Sequence, residues 1–352
     1  MRYDLPFPKI SDVARAAGVS IATVSRVIHN TGPVSEDTRR RVEEVVQALG
    51  YQARRTPRKS VSESTAEKLV LLFTGDIVNP FFAEVIRGTQ EEIDLQKSAL
   101  SIMQLSTDRA KLIQAASQLP VMGIILTGSA PFPELLAWRE ESEIPMVVIN
   151  YRINQPGISC ILVDFRDAYA RATRHLINLG HTRIGYVDDN GGSEIGQARL
   201  QGYKSALAEA GIPFRQELYT TMPADTHHVY GGFQAASNLL ALPPDERPTA
   251  VLSFNDLFAL GVMHAVRAHG MCVPEDISVI GCDDVPMAAY AYPPLTTISQ
   301  PKYRIGKLAV STLLKMRQDP SHQSGSFMLM ESPLIIREST APVSEAKTNE
   351  GG

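Results

Sequence analysis

Eight short apolar runs from Leu69 onward constrain this chain more than any other feature. They are LVLLF (69–73), LSIMQL (100–105), GIILT (123–127), PMVVIN (145–150), CILVD (160–164), RIGYV (183–187), AVLSF (250–254) and ISVIG (277–281). Each is too short for a helix and too continuous for a strand with one wet face. Near-continuous Val/Ile/Leu runs mark strands covered on both sides. Amphipathic stretches of about 12–18 residues fit between most of them, as crossover helices between parallel strands require. An α/β body follows. No repeat of fixed period interrupts it.

The first sixty residues read differently. Three short helical patterns follow one another there, the first and second joined through Gly18, which tolerates the positive φ of a tight helix–helix turn. Ser11 is the expected cap of the first, Ser20 of the second, and Ser35 opens the third, with Glu36 and Asp37 at its positive end. Val13, Ala14 and Ala17, then Val24, Val27 and Ile28, then Val42, Val45 and Leu49 form the inward faces. This is a helix-turn-helix pattern, whose second helix enters the major groove by its N-terminal residues. Those residues are Ser20, Ile21, Ala22 and Thr23, then Ser25 and Arg26. Ile21 and Ala22 suit thymine methyls, and the Ser, Thr and Arg side chains suit phosphate oxygens and base edges. A three-helix bundle for protein docking is the competing reading.

Charge favours nucleic acid. Residues 1–60 carry eleven Lys/Arg against six Asp/Glu, a net +5, while the remainder carries 23 against 32, a net −9. A basic head on an acidic body suits a polyanionic partner. The 352-residue length implies two or three compact units, and 44% hydrophobic with 20% charged residues is an ordinary globular balance. No apolar run approaches the ~20 residues of a membrane helix. Met1 to Lys9 contain no signal-like stretch, and Cys160, Cys272 and Cys282 are too few and scattered for a disulfide framework. The expectation is a cytoplasmic protein, on the nucleoid when DNA-bound, with no cofactor, no metal and no membrane contact.

Two other protein classes compete with this reading. An enzyme on a doubly wound sheet draws support from GGSEIG at 191–196, but Gln197 and Ala198 stand where a phosphate-binding loop needs Lys and Ser/Thr. The first strand runs into Thr74-Gly75-Asp76 without GxGxxG, and no GxSxG elbow is present. His227 and His228 lack Cys or acid partners at metal spacing and are expected on a loop near a cleft. An exported solute-binding protein would need a leader and no basic head.

The run DVARAAGVSIATVSRVIHNTGPVSEDTRRRVEEVVQALGY resembles the DNA-binding head of the lactose repressor (LacI/GalR) family of bacterial transcription regulators. The body agrees through NPFFAEVIRG (79–88), HLINLGHTRIGYV (175–187), RLQGYKSALAEAGI (199–212), FNDLFALGVMHAVRAHGMCVPEDISVIGCDD (254–284) and PPLTTISQP (293–301). The resemblance spans about residues 9–340. It implies an all-α helix-turn-helix head and an α/β body of two doubly wound parallel-sheet lobes, like a periplasmic binding protein. The implied division is head 1–52, hinge 53–68, body 69–340 and a disordered tail 341–352. Within the body, lobe 1 covers about 69–164 and 296–326, and lobe 2 about 165–295 and 327–340. It further implies a homodimeric repressor on a pseudo-palindromic duplex operator, whose DNA affinity a small molecule controls.

Residue by residue, the resemblance places Ile21 and Ala22 in the groove, Ser25 and Arg26 on bases or backbone, and Ser35 on a phosphate. His29 replaces a usual Asn. In the linker, Ala53 and Arg54 replace the family's Pro-Asn, Pro57 falls inside the expected hinge helix, and no leucine wedge follows. Pro57 costs about 3 kcal/mol in a helix interior but is tolerated at a helix start. Val61 is the one apolar candidate for insertion, while Arg54, Arg55, Arg58 and Lys59 supply charge beside a groove. Effector contacts are implied at Phe81, Asn150, Arg199, Asn255, Asp283 and Gln300. Planar Arg, acceptor Asp, two-way Asn and an aromatic face together suit a sugar or sugar derivative. For Phe82 core packing is the expectation, and helix capping is the alternative for Asn255 and Asp284.

Overall fold

The computed structural model describes residues 10–20, 23–24, 26–27, 34–48, 69–189, 192–222, 228–318 and 325–343. The chain divides into two compact units, Met1–Thr65 and Ala66–Gly352.

In the first unit, α1 spans Ile10–Ala17 and α2 spans Glu36–Ala48, with helical residues 23–24 and 26–27 between them. Gly18 takes φ +65°, and Val19 N–H donates back to the Ala14 carbonyl at 3.0 Å, so the turn closes as the glycine predicts. Ser20 Oγ accepts from Thr23 N–H at 3.1 Å, the expected cap. The helix includes Ile10, so Ser11 falls inside its first turn rather than at the position before it. Val13, Ala14, Ala17, Val24, Val27 and Val42 make one small core. Ile28 and Leu49 lie outside the described residues, as does the whole linker 53–68.

The second unit holds two sheets. In chain order the elements are β1 (Leu69–Thr74), α3 (Pro80–Leu95), β2 (Ala99–Gln104), α4 (Arg109–Ala116), β3 (Val121–Thr127), α5 (Pro133–Glu141), β4 (Met146–Ile149) and β5 (Ile158–Val163). Then come α6 (Phe165–Asn178), β6 (Ile184–Asp188), α7 (Glu194–Glu209), β7 (Tyr219–Thr221), α8 (His228–Leu240), β8 (Ala250–Ser253), α9 (Asp256–Ala268) and β9 (Ser278–Asp283). The chain closes with α10 (Pro286–Tyr290), β10 (Thr296–Ser299), α11 (Lys302–Gln318), β11 (Phe327–Met330) and β12 (Leu334–Ile335). The first sheet runs β11-β5-β4-β3-β1-β2 and the second β12-β10-β9-β8-β6-β7. All pairings are parallel except β10 with β12. Each sheet is doubly wound, with its order reversing beside β1 in one lobe and beside β6 in the other. Ligands bind outside the carboxyl ends of strands at such reversals.

Burial explains the pattern. β1, β3, β4, β6, β8 and β9 are covered on both faces, which is why their sequences are apolar without alternation. β2, at an edge, is only partly covered. Helices cover the sheets in pairs at backbone distance. A Cβ on Gly88 of α3 would stand 2.1 Å from the Tyr303 carbonyl of α11, and one on Gly306 would stand 2.1 Å from the Val85 carbonyl. Only hydrogen at both positions lets α3 and α11 approach this closely.

Three expected boundaries move. Strand β10 (296–299) belongs to lobe 2, not lobe 1, because it pairs with β9; the chain returns to lobe 1 only at Gln300–Pro301, where proline ends the strand. Strand β11 (327–330) belongs to lobe 1, because it adds to the edge of β5, so the last crossing falls at 331–333. The tail is pinned at its start. Ala341 N–H donates to Ser278 Oγ at 3.1 Å and Val343 N–H to the Leu179 carbonyl at 2.9 Å, so residues 341–343 are ordered parts of lobe 2.

Candidate functional site

A cavity of about 340 Å³ lies between the lobes, at the carboxyl ends of both sheets. All six effector candidates line it: Phe81, Asn150, Arg199, Asn255, Asp283 and Gln300. Lobe 1 supplies Phe81 from the first turn of α3 and Asn150 from the end of β4. Lobe 2 supplies Arg199 from α7, Asn255 from the start of α9 and Asp283 from the end of β9. Gln300 sits on the crossing between lobes.

Arg199 is 4% exposed, and its guanidinium is stacked by aromatic rings. Its central carbon lies 4.3 Å from the Phe165 ring centre, 4.1 Å from that of Phe254 and 5.5 Å from that of Tyr169. Burial pulls its pKa down, but the charges that Tyr169, Cys282, Tyr186 and Asp283 carry when they ionise outweigh this, so it stays above the ordinary arginine value. It is a fixed cation. Yet its Nε and Nη1 are buried with no hydrogen-bond partner, and so is Oε1 of Gln300. A buried unpaired donor costs about 1–3 kcal/mol, so such groups point to a missing partner.

Asp283 is buried, with φ +114°. It accepts from Gln300 Nε2 at 2.6 Å. Burial raises its pKa from 3.8 to about 6, although Arg199, Lys302, Gln300 and Asn79 all favour the ionised form. Asn150, at φ +65°, uses Oδ1 to accept from Val163 N–H at 3.1 Å. Asn255 Oδ1 caps α9 by accepting from Phe258 N–H at 2.9 Å. Each amide therefore has its oxygen engaged by backbone, and its NH2 is the group left to donate to a ligand. The capping reading holds for Asn255; Asp284 instead accepts from Ser299 Oγ at 3.0 Å and pairs with Arg337 at 2.7 Å. Phe82, expected in the core, is part of the cavity wall, with its ring edge-on to Phe81 at 5.1 Å.

Sequence reasoning missed other wall residues, among them Asp76, Asn79, Tyr151, Phe165, Asp189 and Phe254. The signal available for Asp76, Asp189 and Phe254 was their place just after β1, β6 and β8. Behind Asp189, Asp188 accepts from Tyr186 OH at 3.1 Å and Tyr219 OH at 3.0 Å, and burial followed by the Asp189 charge lifts its pKa to about 6. His228 does reach the cleft: Nε2 lies 3.3 Å from Asp76 of the opposite lobe.

On the head, Ser20, Arg26 and Ser35 are exposed and Thr23 is half-buried. Ile21, Ala22, Ser25 and His29 lie outside the described residues, as do Arg54, Arg55, Arg58, Val61 and His227. No helix among the described residues is long and apolar enough to cross a membrane.

A basic helix-turn-helix unit joined to a two-lobed body with a polar, aromatic-walled cavity defines a ligand-responsive DNA-binding regulator. Comparison with known proteins makes the class specific. Residues 9–53 match the family described as bacterial regulatory proteins, lacI family, and residues 173–340 match the periplasmic binding protein-like domain. The chain is 34% identical to the HTH-type transcriptional repressor PurR of Aliivibrio fischeri strain MJ11, over 94% of this chain and 97% of that one. It is 33% identical to the ribose operon repressor of Haemophilus influenzae, over 94% and 98%. Among solved structures it resembles the transcriptional regulator CelR–cellobiose complex, with TM-score 0.70, 27% identity and coverage of 94% and 99%. It also resembles the lac repressor dimer bound to operator and the anti-inducer ONPF, with TM-score 0.68, 25% identity and coverage of 96% and 100%. The chain belongs to the LacI family. It is a DNA-binding transcription regulator controlled by a small-molecule effector, and its relatives are repressors rather than enzymes.

Proposed function

We propose that the protein is a cytoplasmic, homodimeric repressor that binds a pseudo-palindromic operator and is released or recruited by a sugar or sugar derivative. The observation that carries this reading is the buried Arg199, with two unpaired donors beside an interlobe cavity. A hydroxyl-rich ring satisfies such donors, and aromatic walls cover its C–H faces. Phe81, Asn150, Arg199, Asn255, Asp283 and Gln300 are the proposed effector contacts. Two relatives support the class by name, the ribose operon repressor and the cellobiose complex. The lac repressor dimer on operator supports the assembly.

For DNA, Ser20, Ile21, Ala22, Thr23, Ser25 and Arg26 are proposed to read the groove, with His29 and Ser35 on the backbone. Arg54, Arg55 and Arg58 supply phosphate or minor-groove charge, and Val61 the wedge. The effector acts only through its differential affinity for the two lobe arrangements. The test is a gel-shift titration of duplexes from the gene's own neighbourhood, with and without a sugar panel. Affinity should fall steeply as salt rises from 50 to about 200 mM, as several phosphate contacts require. A protein that ignores every duplex at low salt, with and without sugars, refutes the reading.

A further inference from the structure

We infer that the effector is not an anion: the cleft selects an uncharged or amine-bearing polyol and rejects its phosphorylated and carboxylated forms. This rests on the carbohydrate reading of the same cavity and adds the ligand's charge.

The first argument is the charge of the wall. Asp76, Asp189 and Asp283 supply three carboxylates, against one fixed cation, Arg199. No lysine lines the cavity among the described residues. His228 is already paired with Asp76. Lys302 behind the wall and Arg199 within it both act on Asp283, while Asp188 stands behind Asp189, so the acids still outnumber the cations. An arriving phosphate or carboxylate therefore meets more negative than positive charge in a partly desolvated space, where Coulomb terms are strong.

The second argument concerns helix ends. Three helices, α3, α7 and α9, begin at the cleft, and a bare helix N-terminus attracts anions. Here each is already answered. Asn79 Oδ1 accepts from Phe81 N–H, Ser193 Oγ from Gly196 N–H and Asn255 Oδ1 from Phe258 N–H, at 2.9, 3.0 and 2.9 Å. In addition, α7 and α9 carry Glu194 and Asp256 in their first turns. At each start one of the free N–H groups is thus already taken, and at α7 and α9 a carboxylate in the first turn opposes an anion as well.

The third argument is hydrogen-bond type. Arg199 Nε and Nη1 need acceptors, while Gln300 Oε1 needs a donor; both side chains are only 4% exposed. A hydroxyl serves both roles, whereas a carboxylate or phosphate placed against these atoms accepts only and leaves the Gln300 oxygen unpaired. Rejection by an unanswered buried polar group is the strong form of specificity.

The experiment is calorimetric titration of the full-length protein with matched pairs: ribose and ribose 5-phosphate, glucose and glucuronate, glucosamine and glucosamine 6-phosphate, inosine and inosine monophosphate. The expected result is binding by an uncharged or amine-bearing sugar, with its anionic partner at least about tenfold weaker. Asp189→Asn should narrow that gap. An anionic member that binds as tightly as its neutral partner overturns the charge rule and leaves the carbohydrate reading standing. Binding by inosine alone does the reverse. A panel with no binder overturns both.

Discussion

Replacing Arg199 by methionine should stabilise the effector-free protein and destroy its response. Arginine's Nε and Nη1 are buried and unpartnered, and each such donor costs about 1–3 kcal/mol. Methionine removes both. What is lost is the stacking on Phe165 and Phe254 at 4.3 and 4.1 Å, about 0.5–2 kcal/mol for each ring. Asp283 also loses its cationic neighbour, but at pH 5, below its folded pKa of about 6, it is already protonated and no charge is stranded, so the comparison is made there. The balance is a gain of roughly 1 kcal/mol, or about 2–4 °C in Tm for a body of this size. Effector binding moves the other way. Two charge-assisted hydrogen bonds at about 1.5–3 kcal/mol each amount to two to four orders of magnitude in Kd. Differential scanning calorimetry without effector and titration calorimetry with it read the two halves separately. A Tm drop of more than about 5 °C in the effector-free variant would show that the guanidinium is a structural cation and refute the argument.

Three further perturbations test other links. Asp283 binds protons more tightly folded than unfolded, so its contribution is complete below pH about 4 and is lost as pH rises through 6. A shift from 3.8 to about 6 corresponds to about 3 kcal/mol, and chemical denaturation across pH 4–7 should show a loss about that much smaller in Asp283→Asn than in the parent, the remainder belonging to Asp188, whose pKa is also lifted to about 6. Gly88→Ala places a methyl 2.1 Å from the Tyr303 carbonyl and must separate α3 from α11, at a cost of about 1–3 kcal/mol and a Tm lowered by about 2–8 °C; an unchanged Tm would mean the two helices slide freely. Val61→Ala should weaken operator affinity and reduce DNA bending in a circular-permutation gel shift, and unchanged bending rejects Val61 as the wedge.

How much was legible depended on what each residue is buried against. The strands buried on both faces announced themselves, since their residues are mostly apolar without alternation. Strands β7, β10, β11 and β12 did not: none is buried along its whole length, as the equally short β4 and β8 are. Their pairing is set by partners far along the chain, β12 opposite β10 and β11 beside β5. That is also why the lobe crossings were misplaced at 296 and 327. Within the cavity, Arg199 was readable because a long cation among Gly196, Ala198 and Gly202 has few other uses. Asp189 and Asp76 were not, because an acidic residue after a strand looks the same whether it faces a ligand or water. Phe165 and Phe254 were invisible as site residues, since nothing local says that their rings would hold an arginine between them.

The cleft's walls are built into the connections between the lobes. The chain crosses between lobes near 164, 300 and 332, and these crossings are tied together: Asp164 N–H donates to the Met330 carbonyl at 3.2 Å, and Arg171 Nη2 to the Ser332 carbonyl at 2.9 Å. Lys302, buried at the start of the lobe 1 helix α11, donates to the carbonyls of Asp283 and of Asp284, the latter at 2.7 Å. Asp283 and Asp284 both hold left-handed φ angles in lobe 2, at +114° and +55°, which non-glycine residues keep only when their surroundings enforce it. Asp283 in turn holds Gln300 on the middle crossing. A molecule that bridges Asn150 of lobe 1 and Asp283 of lobe 2 therefore acts on groups that already fix the hinge. One that touched a single lobe would bind both lobe arrangements equally well and shift neither.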